Sequence, residues 1–326
     1  MKHFYHTCFG VIVMKKKKSK TRVIRDECNE ILNQIPHNLT KSQYKNIVRR
    51  YVEYCRREFD VQNFEDCKGY IQTYCDYLQN QGYTTSTIHT YISGVCKCWD
   101  VPLKLIEKPI RHISEYTKGR SKYHDKYRTA TDLAAERWKD LVQFQMLTGI
   151  RRAELSRLTG KDLVFKDGIW NIFVRNGKGG KDSYIYVSDI DKVKPYFEGK
   201  GPNEKIFDEA LFKNDLNLHW LRAKNAQLVY KLFEDRIKKY PTYRDELEKL
   251  VRKRWAEGNK DKKTGKPKPF PEDSINGKYV LRGLNRKFAI KNKLPFVYDK
   301  LILKAVSVLC LSHYRTDITI LYMLYI

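Results

Sequence analysis

The sequence predicts a mainly helical α+β protein in two domains: an all-α N-terminal domain, then a larger domain of helices around a small β-hairpin. Three observations lead there. Apolar residues recur at helical spacing through the N-terminal third, one Gly/Lys-rich turn separates two short apolar runs of strand type, and 326 residues exceed the usual size of a single domain.

Residues 1–22 form a basic N-terminal extension in which the apolar run Phe9–Met14 precedes Lys15–Lys18. That order reverses the charge pattern of a secretory signal, and the run is too short to span a membrane. It reads either as a basic arm or as an upstream extension before a start at Met14. Residues 23–106 make the helical domain. After a weaker helix at about Arg25–Gln34, the first strong helix carries Tyr44, Ile47, Val48, Tyr51, Val52 and Cys55 on one face. The second carries Tyr70, Ile71, Tyr74, Cys75 and Leu78, with Gly82 as its C-terminal stop. The third begins after the cap cluster Thr84, Thr85 and Ser86 and carries Ile88, Tyr91, Ile92, Val95 and Trp99.

Residues 107–128 lack an apolar period and read as an exposed basic linker. The second domain, 129–326, opens with a helical pattern over Thr131–Leu147; Gly149 interrupts it and Arg152–Leu158 resumes it. Gly168–Arg175 and Asp182–Val187 read as the two strands of a hairpin. A helix is expected over Leu218–Lys238. The polar, proline-bearing stretch Lys253–Asn276 reads as a loop within an insertion at about 236–278. Leu301–Leu311 is an apolar helical segment.

Lys and Arg number 64 against 38 Asp and Glu, a net charge of +26 shared between the two halves of the chain. Such a charge suits a surface that tracks phosphates, because neutralising them releases condensed counterions. A merely solvated basic face is the plainer reading, but the excess is not confined to one tail. The eight cysteines include no C-x-x-C pair, so no zinc site is implied. Cys55 and Cys75 lie on apolar faces, where reduced thiols act as small hydrophobes. A reducing cytoplasm and no disulfides are expected.

Chemistry concentrates in the second domain. In Thr148-Gly-Ile-Arg-Arg-Ala-Glu-Leu155 a glycine breaks a helix that restarts at Arg151, where free N–H groups and a guanidinium can grip a phosphate together. The alternative is a surface ion pair with Glu154, three residues on. The turn Gly177–Lys181 carries Lys178 and Lys181; a lysine there can reach a nucleic-acid groove and donate a proton, and by itself the turn also reads as a solvated loop. His219 and Arg222 share one helix face at i, i+3. His313 and Tyr322 stand nine residues apart.

These motifs resemble the tyrosine recombinase, or phage integrase, family. Thr148–Leu155 is similar to its box T-G-x-R-x-x-E-L, His219–Arg222 to its H-x-x-R, and Leu311–Tyr322 to its closing L-G-H with the tyrosine nine residues later. The match covers about Thr131 to Tyr322, while the N-terminal helices resemble the family's core-binding domain in pattern only. The resemblance implies a C-shaped clamp on duplex DNA and a site-specific recombinase or integrase of a mobile element, nucleoid-associated, that uses neither metal nor cofactor. Arg151, Lys178, His219, Arg222, His313 and Tyr322 are the implied catalytic residues. Tyr322 would attack the phosphorus to give a 3′-phosphotyrosyl link, the arginines and histidines would balance the equatorial charge, and Lys178 would protonate the leaving 5′-oxygen. The implied partners are paired attachment sites, three further copies of the chain in a homotetramer, and an accessory directionality factor.

Three departures stand out. The interval from Arg222 to His313 is much longer than in the family, and it contains Tyr279-Val-Leu-Arg282, a second candidate box with Tyr in the place of His. Integrases of bacterial mobile elements that this chain resembles carry both boxes, which favours Arg222. Ser312 replaces the glycine before His313, a change expected to matter little with a negative φ there. Only four residues follow Tyr322. Tyr325, one helical turn on, is the competing nucleophile. A non-cutting DNA-binding relative, and a type IB-like topoisomerase or telomere resolvase, are the alternative functions.

Overall fold

The computed structural model describes residues 19–112, 138–177, 180–212, 216, 218–261 and 264–325. The chain divides into two compact units between Arg111 and His112. It is mainly helical, with one three-stranded and one two-stranded antiparallel sheet among the described residues.

The first unit holds α1 (Lys20–Asn33), α2 (Asn38–Phe59), α3 (Ile71–Asn80) and α4 (Thr85–Cys98). The Ser19 hydroxyl accepts from Arg22 N at 3.3 Å and starts α1, so this helix begins inside the stretch read as a basic extension. The stripe Ile47, Val48, Tyr51, Val52 and Cys55 of α2 is buried, as its spacing predicts. At the end of α3, Gly82 takes φ +71° and lets Tyr83 N donate to Leu78 O at 3.1 Å, a Schellman-type closure. Thr84 then caps α4 by accepting from Thr87 N. Trp99 stacks on Phe64 at 4.8 Å and donates its indole N–H to Phe64 O at 2.8 Å, closing the core. Residues 107–109, linker by composition, are held on this unit: Glu107 N donates to Gln72 Oε1 at 2.9 Å, and Pro109 O meets His89 Nε2 at 2.8 Å. Residues 113–128 of that linker lie outside the described residues, as does most of the basic extension. Every described cysteine is a free, buried thiol.

The second unit runs α5 (Lys139–Thr148), α6 (Arg152–Leu155), β1 (Leu163–Lys166), β2 (Ile169–Val174), β3 (Ser183–Tyr186), α7 (Ile190–Val193), α8 (Leu218–Lys239), α9 (Tyr243–Gly258), β4 (Lys278–Val280), α10 (Gly283–Lys291), β5 (Val297–Asp299), α11 (Lys300–Ala305) and α12 (Thr316–Met323). β2 and β3 form the expected hairpin, with Val174 opposite Ser183. β1 adds a third strand through a two-residue turn in which Asp167 and Gly168 take φ of +57° and +76°.

One core cluster packs Leu141, Phe144, Ile150 and Leu155 against Ile172, Val174 and Ile185 of the sheet; the other gathers α8, α9, α11 and α12, and Trp220 touches both. The polar segment read as a loop from Lys253 is in part helical. α9 continues to Gly258 because Leu247, Val251, Arg254 and Trp255 are buried, so the insertion is built into the core. Leu301–Leu311 is fully buried, and α11 passes into a π-helical turn at Val306–Cys310. Among the described residues no helix is long and apolar enough to cross a membrane.

Candidate functional site

α5 ends because Gly149 takes φ +61°, a conformation costly for any residue with a side chain. Space is also lacking: a Cβ there would overlap the Asn225 side-chain oxygen and lie 3.0 Å from Asn225 Cγ. The break turns the backbone so that Arg151 becomes the extended N-cap of α6, which is a single turn rather than the longer helix its sequence suggests. Arg151 and Glu154 do form the i, i+3 pair, at 2.7 Å, and buried Glu154 also accepts from Arg151 N at 3.2 Å. The pair does not compete with a site role. It fixes the guanidinium, whose Nη2 donates to Leu311 O at 3.1 Å.

Arg222 reaches the same carbonyl from α8. Its Nη2 donates to Leu311 O at 2.6 Å and its Nη1 to Gly149 O, while buried Nε has no hydrogen-bond partner among the described residues. Only 1% of this arginine is exposed. Burial, and next the nearby charge of Arg151, push its guanidinium below the ordinary arginine range; Tyr322 and Glu154 oppose that shift. Two cations therefore converge on one carbonyl oxygen with a single carboxylate beside them. A cavity of 420 Å³ opens next to them, lined by Arg151, Arg152, His219 and Arg222.

The π-helical turn delivers Leu311 O and then His313. Ser312 takes φ +41° and Tyr314 φ +57°, so both adopt the left-handed conformation and the negative φ that would make a serine at 312 harmless is not found. Such values in residues with side chains cost of order 1 kcal/mol each, and strain of this kind clusters at functional sites. His313 N donates to Ser307 O at 3.3 Å, and Arg315 N donates to His313 Nδ1 at 3.4 Å. Accepting there leaves Nε2 as the protonated nitrogen of the neutral ring.

Tyr322 projects from α12 into this group. Its ring centre lies 5.2 Å from that of His219, 5.7 Å from that of His313 and 6.0 Å from the Arg222 guanidinium carbon. The Tyr325 ring stacks on Tyr322 at 6.1 Å and sits 5.7 Å from His219. Five of the six residues singled out in sequence thus gather in one place. Lys178 lies outside the described residues; its neighbour Lys181 sits over the Tyr314 ring at 5.7 Å. Arg282, the competitor of Arg222, is exposed at the start of α10 after a strand, where no described contact joins it to the group.

Sequence reasoning missed Gln227 and Asn225. The Gln227 side-chain N–H groups donate to Tyr322 O at 3.0 Å and Tyr325 O at 2.8 Å. Asn225 Nδ2 donates to Met146 O at 2.9 Å and ties α8 to α5. A signal was present, since Arg222, Asn225 and Ala226 share the buried face of α8, where a polar residue needs a partner. No protein-family model matches the chain, and no curated protein or solved structure matches it.

Proposed function

We propose that this chain is a site-specific DNA recombinase that cuts and rejoins duplex DNA through a covalent 3′-phosphotyrosyl intermediate at Tyr322. The observation that carries this reading is the convergence of Arg151 and Arg222 on Leu311 O, with Tyr322 packed against Arg222, His219 and His313. Two like charges brought together in a buried place repel each other, and an oxyanion between them relieves that cost. A phosphodiester is such an anion, and the charge of the chain directs it towards one.

In the reaction the Tyr322 oxygen attacks phosphorus and the 5′-oxygen leaves. Arg151, Arg222 and the histidines balance the charge that gathers on the equatorial oxygens. Lys178 supplies the proton to the leaving oxygen. The phosphotyrosyl link conserves the energy of the broken bond, so rejoining needs no nucleotide. Paired duplex sites carrying four protomers, one cut each, make up the working assembly, and the first unit serves as a second clamp on DNA.

The test is a denaturing gel of the chain incubated with a pool of duplexes nicked near the point of cleavage, so that the short released strand diffuses away and the adduct accumulates. A covalent protein–DNA band lost in Tyr322→Phe supports the proposal. Binding without any such band assigns the chain to the non-cutting class.

A further inference from the structure

We infer that Gln227 selects Tyr322 over Tyr325 as the attacking residue, acting as a positioning residue through the backbone of α12; the inference rests on the tyrosine chemistry proposed above. The two phenols compete closely. Their rings stack at 6.1 Å, and both meet His219, at 5.2 Å and 5.7 Å. Tyr325 lies three residues on, two past the end of α12 at Met323, so a shift of this chain end would exchange the two rings.

Contacts made by Gln227 oppose that shift. Tyr322 O also accepts from Tyr325 N at 3.4 Å where α12 ends. The Gln227 amide binds this chain end: Nε2 donates to Tyr322 O at 3.0 Å and Tyr325 O at 2.8 Å, and lies 3.4 Å from Met323 O. One side chain on α8 therefore grips the backbone of both competing tyrosines. The orientation of that amide is itself fixed. The Lys224 ammonium, which can only donate, meets Gln227 Oε1 at 3.3 Å and so turns the amide nitrogen towards α12. Lys224 also reaches Tyr325 O at 3.4 Å and lies over the Trp220 ring at 5.2 Å. Gln227 and Arg222 belong to the same helix, so the grip sets Tyr322 in register with the guanidinium it faces.

The distinguishing experiment uses the full chain, a nicked duplex and peptide mass mapping of the nucleotide-bearing tyrosine, together with duplex affinity and the thermal midpoint. Gln227→Glu is the informative variant, because it keeps the shape, removes both donors and sets a carboxylate against carbonyl oxygens. The unchanged chain is expected to carry the adduct on Tyr322 alone. Gln227→Glu is expected to form adduct about tenfold more slowly and to place a measurable share of it on Tyr325, with affinity unchanged. Lys224→Met, which frees the amide without altering it, is expected to shift the share in the same direction by less, and it stands in if Gln227→Glu does not fold. Adduct on Tyr322 alone in both variants overturns the inference, even if the rate falls in step with stability. Absence of any adduct with the unchanged chain overturns the tyrosine chemistry itself, and the selection of a tyrosine with it.

Discussion

Gly149→Ala perturbs the point where the backbone and the site meet. Alanine would have to keep φ near +61°, which costs about 1–2 kcal/mol. Its Cβ would also force the Asn225 side chain away and break the 2.9 Å bond from Asn225 Nδ2 to Met146 O. A buried amide left without that partner costs a further ~1–3 kcal/mol. The sum is about 2–5 kcal/mol, read as a lower midpoint in urea with an unchanged slope. A second variant separates the two contributions: adding Asn225→Ala removes the overlap, so Gly149→Ala should cost only its backbone part in that background. Because Gly149 O accepts from Arg222 Nη1, adduct formation should fall as well. A loss below about 1 kcal/mol, or the same loss with and without Asn225, would refute this account of the helix break.

Lys304 is buried with its ammonium 4.1 Å over the Trp255 ring, and burial pushes its pKa down to about 8. Below pH 8 the amine is charged in both the folded and unfolded chain and the folded state bears the desolvation cost; the cost fades as pH rises towards 10.5, the unfolded value. Lys304→Met should therefore stabilise the protein by about 1–2 kcal/mol at pH 7, after discounting for screening and the lost cation–π contact. The gain should shrink steadily in melts taken towards pH 10, and a gain independent of pH would sink the argument. Duplex affinity should fall steeply with salt, as the +26 charge requires, and a flat plot of binding against salt concentration contradicts it. Tyr322→Phe should bind duplex as well as the unchanged chain yet form no adduct on a denaturing gel, because the attacking hydroxyl is gone and the Gln227 grip keeps Tyr325 from taking its place. Adduct surviving there and vanishing in Tyr325→Phe would move the nucleophile.

Much of the first unit was legible because its helices bury one face each: the stripe from Ile47 to Cys55 shows in the spacing alone. The start of α1 was not, since the lysines before it mask a cap that depends on the Ser19 hydroxyl. β1 was overlooked although Asp167-Gly168 is a two-residue hairpin signal; four residues are too few for alternation to show. Helix α9 hid behind its charge, since Arg254 is buried through an ion pair with Asp167 rather than by being apolar. In the candidate site, the resemblance of short motifs to those of a known family picked out Arg151, His219, Arg222, His313 and Tyr322, where spacing alone did not. It gave no view of Leu311 O, the carbonyl on which both arginines converge, or of Gln227. Those contacts involve backbone atoms, which every residue carries alike, and only the folded chain shows which are in reach. The left-handed φ of Ser312 was not legible for a related reason: it follows the π-helical turn, and nothing in the residue type announces that turn.

The central claim is that the buried guanidinium of Arg222 acts on the phosphoryl group in flight, and the single-turnover rate of adduct formation by Arg222→Ala at saturating duplex tests it most directly. The account predicts a rate lower by about 10²–10³-fold, the usual cost of removing one such donor, with duplex affinity nearly unchanged. Arg282→Ala, at its exposed place on α10, serves as the control and should weaken binding while sparing the rate. Adduct formed by Arg222→Ala at the rate of the unchanged chain, with the loss of rate appearing in Arg282→Ala instead, would contradict the account.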